Sequence, residues 1–145
     1  MRVIMAPSDT GILYEVGNAS AATVIYMHQG IIHARAGTAT DYVEEWYPLN
    51  TSNVATGYNI ELLIGFDFDT MRFVVGGAEL VQAIPTGTDI FLSTSTRARF
   101  GEAQGNTVPL PITPSAFTGT INYAVHWSEE PFVASYNQGE LQPGR

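Results

Sequence analysis

The sequence predicts an all-β fold, an antiparallel two-sheet β-sandwich, and three observations carry that prediction. Helical periodicity is almost absent across the 145 residues. Short runs rich in Val, Ile, Tyr, Phe and Thr recur, separated by Gly, Pro, Asn and Asp. Several of these runs fold back on one another around turn dipeptides. Strands are expected near 2–6, 11–16, 22–28, 31–36, 58–66, 71–75, 78–83, 89–93, 97–100 and 117–127. Short strands at this spacing suggest a sandwich or a barrel.

The hairpins fix most of the register. In ATVIYMHQGIIHARAG (22–37), Gln29-Gly30 supplies the residue able to take φ > 0 in a two-residue turn. That turn pairs His28 with Ile31, Met27 with Ile32, Tyr26 with His33 and Val24 with Arg35. Alternation then predicts Ile25, Met27, Ile32 and Ala34 as core, and Val24, Tyr26, His28, His33 and Arg35 as surface. The stretch 37–57 is expected to be a long loop. Within it DYVEEWYPL (41–49) is the best helical candidate, limited by Pro48 to about two turns.

In YNIELLIGFDFDTMRFVV (58–75) a turn around Phe68-Asp69 pairs Phe66 with Met71, Ile64 with Phe73 and Leu62 with Val75. With Ile60 these make one continuous apolar face. Gly76-Gly77 is a strong turn signal between 71–75 and 78–83. The last strand, FTGTINYAVHW (117–127), puts Phe117, Gly119, Ile121, Tyr123, Val125 and Trp127 on one face, with Tyr123 and Trp127 read as core. Residues 102–116, with three prolines, read as a long crossover. The expected organisation is one sandwich domain over 1–127, with an N-terminal strand and arm at 1–10. A polar C-terminal arm follows at 128–145, anchored by Phe132 and Val133 on its own domain or on a neighbouring subunit.

Composition narrows the partners. Fourteen acidic residues against six basic ones, all arginine, leave a net charge of −8. A chain this acidic lacks the cationic stripe that phosphate backbones demand, which argues against nucleic acid and anionic membrane as partners. There is no cysteine, so folding relies on the core alone, and a chain of this length buries roughly two-thirds of its unfolded surface. Absent cysteine leans toward a reducing compartment of synthesis. No signal-peptide core and no apolar run approaching the ~20 residues of a membrane span is evident. If the chain acts outside a cell, the expected route is lysis, a dedicated secretion system or attachment to a particle.

The pieces GILYEVG (11–17), ATVIYMHQGIIHARAGT (22–38), NIELLIGFDFDTMRFVVGGAELVQ (59–82) and FTGTINYAVHW (117–127), in that order, resemble the laminin-G-like branch of the concanavalin A-like jelly rolls. Asp67 or Asp69 matches that family's Asp-containing turn, and Gly76-Gly77 its Gly turn followed by Glu-Leu-Val. Phe117, Gly119 and Ile121 match its late Phe-x-Gly-x-Ile strand. The resemblance covers about 11–127 and implies two antiparallel sheets packed face to face. The early strand is represented only by MRVIMAP, so the implied sandwich is trimmed. The family's rim calcium site has no clear counterpart, and no metal ligands carry over.

Candidate chemistry is sparse. His28 and His33 share a face, but without a third nearby ligand they do not make a metal site. Asp67 and Asp69 lack the further ligands a calcium loop needs, and turn chemistry explains them. Calcium is the one ion the sequence leaves open. Adjacent Glu44-Glu45 and Glu129-Glu130 point to opposite faces of a strand, wrong for a paired-carboxylate glycosidase. No nucleophile elbow is present. The sequons at Asn18 and Asn50 carry weight only on a secretory route.

No catalytic residue, cofactor or metal site is therefore expected. The chain reads as a non-catalytic structural protein assembling on a larger particle, foremost a viral (phage) capsid decoration or cement protein. That role places it on the virion surface after synthesis in the host cytoplasm, as an oligomer with capsid or particle subunits as partners. The alternative is a lectin-like carbohydrate-binding module, including one on a phage tail or fibre. A polysaccharide hydrolase is the third class. Expected contact residues are Tyr42, Trp46 and Tyr47 in the 37–57 loop, and Phe132, Val133 and Tyr136 in the arm.

Overall fold

The computed structural model describes residues 1–17, 20–50, 52–65, 69–88, 98–102, 110 and 113–126. Among these the chain is all-β. Its strands are β1 (Arg2–Met5), β2 (Gly11–Gly17), β3 (Ala21–His28), β4 (Ile31–Thr38), β5 (Tyr42–Pro48), β6 (Thr56–Ile64), β7 (Thr70–Val75), β8 (Ala78–Ala83), β9 (Arg99–Phe100) and β10 (Thr120–Tyr123). They form two antiparallel sheets of five described strands each. Sheet I runs β10-β1-β6-β7-β8 and sheet II runs β5-β4-β3-β2-β9. No helix among the described residues is long and apolar enough to cross a membrane.

The sheets pack face to face. Val3, Met5, Ile60, Phe73 and Val75 of sheet I meet Leu13, Tyr14, Val16, Ile25, Met27, Ile32 and Ala34 of sheet II in one buried cluster. A smaller cluster of Ala36, Val43, Met71 and Ile84 closes the end where β5 lies against β7 and β8. Alternation supplies these residues, every second side chain turning inward, except in β2, where an irregularity in the ladder between Ile12 and Tyr14 brings adjacent Leu13 and Tyr14 both into the cluster.

The β3–β4 hairpin has the expected register, with His28 opposite Ile31, Tyr26 opposite His33 and Val24 opposite Arg35. Gln29 at φ 50° and Gly30 at φ 78° form the turn with both central residues left-handed, matching the right-handed twist of the flanking strands. The same holds for Gly76 at φ 57° and Gly77 at φ 93° between β7 and β8, which pair Val75 with Ala78.

Four expectations are corrected. First, the β6–β7 ladder pairs Ile64 with Met71, Leu62 with Phe73 and Ile60 with Val75, two residues away from the expected register. A slip of two leaves every side chain on its face, so hydrophobic pattern cannot detect it. The Gly65 amide donates to the Thr70 carbonyl at 2.7 Å and closes the ladder. Second, within the helical candidate 41–49 the residues Tyr42–Pro48 form strand β5 and not a helix. Third, Val24 and Tyr26, expected at the surface, are buried with Ile12 and Ala22 under Leu110 on the outer face of sheet II.

Fourth, the 117–127 strand shortens to β10. Arg2 faces Tyr123 while Val3 faces Ile121, so Asn122 is an extra residue in the ladder. Such a bulge breaks the alternation. Ile121 packs inward against the core, whereas Tyr123 joins Arg2 on the solvent side and is 63% exposed. Phe117 stays partly buried against the core. The expected strand at 89–93, Asp67, Trp127 and the arm 128–145 lie outside the described residues.

Candidate binding face on sheet II

Strand β5 brings the chemistry together. It follows β4 through a tight connection in which the Thr38 amide donates to the Asp41 carbonyl at 2.8 Å and the Asp41 amide donates back to Thr38 Oγ1 at 2.9 Å. Gly37, at φ 134°, is required there: a Cβ would stand 2.4 Å from the Asp41 carbonyl oxygen. The chain therefore reverses at 38–41 and pairs His33 with Trp46, Arg35 with Glu44 and Gly37 with Tyr42.

That register makes rows across the outer face of β3, β4 and β5. Tyr26, His33 and Trp46 form one row, and Val24, Arg35 and Glu44 the next. Tyr42 flanks the second row. Trp46 and Tyr42 are 56% and 43% exposed, while His33, Arg35 and Glu44 are largely covered. Tyr47 alternates to the inner side and packs, partly buried, on the core. Glu45 faces inward opposite Ala34, on the other face from Glu44, as adjacent strand residues must.

The polar centre is Glu44. Its Oε2 accepts from the Tyr26 hydroxyl at 2.9 Å and from His33 Nδ1 at 2.7 Å. A carboxylate offers no hydrogen, so His33 must carry its proton on Nδ1. The His33 ring stacks on Tyr26 with centroids 4.5 Å apart and planes 1° off parallel. Arg35 lies under Tyr42, its guanidinium carbon 3.4 Å from the ring centroid. Arg35 Nη1 stands 3.9 Å from Glu44 Oε1, too far for a hydrogen bond, and Nη2 reaches the Ala39 carbonyl only at 3.4 Å. Arg35 Nε is buried with no partner among the described residues.

Burial works to raise the Glu44 carboxyl pKa. The hydrogen bonds from His33 and Tyr26 and the charges of His33 and Arg35 outweigh it and hold Glu44 below the usual carboxylate range. Tyr26 is pushed far up, by burial first and then by its bond to Glu44. At the other side of sheet II the Tyr14 hydroxyl meets His126 Nδ1 at 2.7 Å, and burial raises the Tyr14 pKa as well.

The three histidines do not gather, and no group of three or more His, Asp or Glu suited to a metal ion occurs among the described residues. Phe132, Val133 and Tyr136 lie outside the described residues. Sequence reasoning named Tyr42 and Trp46 but missed that Tyr26, His33, Arg35 and Glu44 stand beside them. The strand alternation Tyr42, Glu44, Trp46 was the signal that finds them. No protein-family model matches the sequence, and no curated protein matches it.

Proposed function

We propose that this chain is a non-catalytic binding domain whose working surface is the outer face of β5 and the adjoining part of β4, and that its ligand is a glycan. One observation carries the reading: exposed Trp46 and Tyr42 flank the covered polar group of Tyr26, His33, Arg35 and Glu44. Sugar rings present apolar C–H faces and a rim of hydroxyls, and this face offers an aromatic platform beside donors and acceptors in fixed positions. The hairpin order supports the finer fold assignment, a trimmed laminin-G-like jelly roll. The test is a glycan-array screen of the purified protein with and without calcium. Binding is expected to survive chelation and to fall by at least tenfold in Trp46→Ala, in line with the ~2 kcal/mol or more that a central aromatic contributes. An array blank for the wild type refutes the glycan.

A second reading rests on sheet I. Its outer face leaves Ile4, Leu63, Val81 and Tyr123 exposed, alongside the ion pairs of Arg72 with Glu61 and Glu79. Exposed apolar side chains sharing one sheet face suit attachment to other subunits. This supports the role of a particle-assembly protein, with a capsid decoration protein as its concrete form, and one virion protein can carry both functions on its two faces. Light scattering of the wild type against Leu63→Glu tests it: an oligomer that the charge dissociates supports the role, and a monomer in both cases removes self-assembly from it.

A further inference from the structure

We propose that the sheet II face selects uncharged, hydroxyl-bearing sugars, with one ligand hydroxyl bridging Glu44 Oε1 and Arg35 Nη1. The inference rests on the glycan reading above and names the class of sugar. Its starting point is the 3.9 Å gap between those two atoms. They carry opposite charges and face each other, yet the separation exceeds a hydrogen bond. An oxygen set to one side of the line joining them reaches ordinary hydrogen-bond distance, about 2.8 Å, from both.

The two partners make opposite demands. Glu44 is acceptor-only, and its Oε2 is already taken by Tyr26 and His33. Its Oε1 has no hydrogen bond from a described residue and calls for a donor. Arg35 is donor-only and held in place by the Tyr42 ring, with the Tyr26 hydroxyl beside its guanidinium and a long bond to Ala39. It calls for an acceptor. A hydroxyl is both at once. A ligand carboxylate satisfies Arg35 but repels Glu44, and an ammonium does the reverse. With Tyr26 and His33 fixing Glu44, and Tyr42 fixing Arg35, neither charge can turn away to relieve the mismatch. The neighbouring row adds the His33 imidazole next to the exposed Trp46 ring, on which the C–H face of the same sugar can lie. The overall charge of −8 acts in the same direction against acidic glycans.

The test uses the full chain and an array of neutral oligosaccharides with their uronic-acid and amino-sugar counterparts, then titration of the strongest neutral binder. Neutral sugars should bind, and their charged counterparts should bind at least tenfold more weakly. Glu44→Gln, similar in shape, should lose about tenfold to a hundredfold in affinity, as expected when a charged hydrogen-bond partner is removed. Its melting transition shows whether it folds, and a deoxy derivative of the bound sugar reproduces the loss without touching the protein. Neutral sugars lost on Trp46→Ala, but bound equally by Glu44→Gln and by wild type, overturn the bridge while leaving the glycan reading intact. Uronic acids or amino sugars bound as tightly as neutral sugars do the same. No binding to any sugar overturns both.

Discussion

Glu44 shows how a single carboxylate ties binding to stability. Its pKa lies below the unfolded value of 4.5 because donors from β3 and β4 favour the charged form. The folded state therefore binds fewer protons than the unfolded one. Glu44 then contributes stability that is fully present above the unfolded value and is lost as pH falls through the folded one. Urea titrations across the acid range should show a shallower loss of stability for Glu44→Gln, with a neutral-pH cost of about 1–3 kcal/mol for the donors left behind. Tyr14 and Tyr26 have the opposite sign, since their folded pKa values are raised from 10.0 by burial. Their contribution is present below that value and disappears as pH climbs toward the folded one. Tyrosinate absorbance should show Tyr14 and Tyr26 ionising only as the fold opens at high pH.

At the scale of the element, legibility depended on how many faces of a strand meet water. The β3–β4 and β7–β8 hairpins were readable because a turn dipeptide fixed each register independently of hydrophobicity. Strand β5 was not, since aromatic and acidic residues occupy both of its faces. Val43 and Tyr47 turn inward, Tyr42 and Trp46 outward, and the acidic pair 44–45 mimics a helical surface. The outer face of β3 was misread for a related reason: alternation assumes one wet side, and here both are covered. The aromatic flanks, Tyr42 and Trp46, were therefore named, while the polar group between them needed the β4–β5 register. Glycines separate turn strain from close approach. At Gly77, with φ 93° and nothing within 4 Å of a Cβ, alanine should cost about 1–2 kcal/mol from backbone strain alone. At Gly11 a Cβ would stand 2.2 Å from the Ala116 carbonyl oxygen, so Gly11→Ala should cost several-fold more, because backbone must move as well. Chemical denaturation of the two variants checks the ranking.

For the whole molecule, the two sheets share one core, and Phe73 sits inside it fully buried. Phe73→Ala should cost about 3–5 kcal/mol. That is a large share of the ~5–15 kcal/mol that holds a domain of this size together, and calorimetry should record a steep fall in melting temperature. Leu63→Ala, on the exposed face of sheet I, should stay within about 0.5 kcal/mol. The binding face has a particular place in this arrangement. Its floor, β3 and β4, has a hydrogen-bonded neighbour on each side, whereas β5, which holds Glu44, Trp46 and Tyr42, is an edge strand among the described residues, paired there with β4. Edge strands open at lower free energy than central ones, so amide protons of β5 should exchange with solvent well before those of β3. A sugar bridging β4 and β5 would act as a clamp across that seam. Saturating ligand should slow exchange along Tyr42–Pro48 far more than in the already protected floor, so occupancy would be read as the closing of a frayed margin.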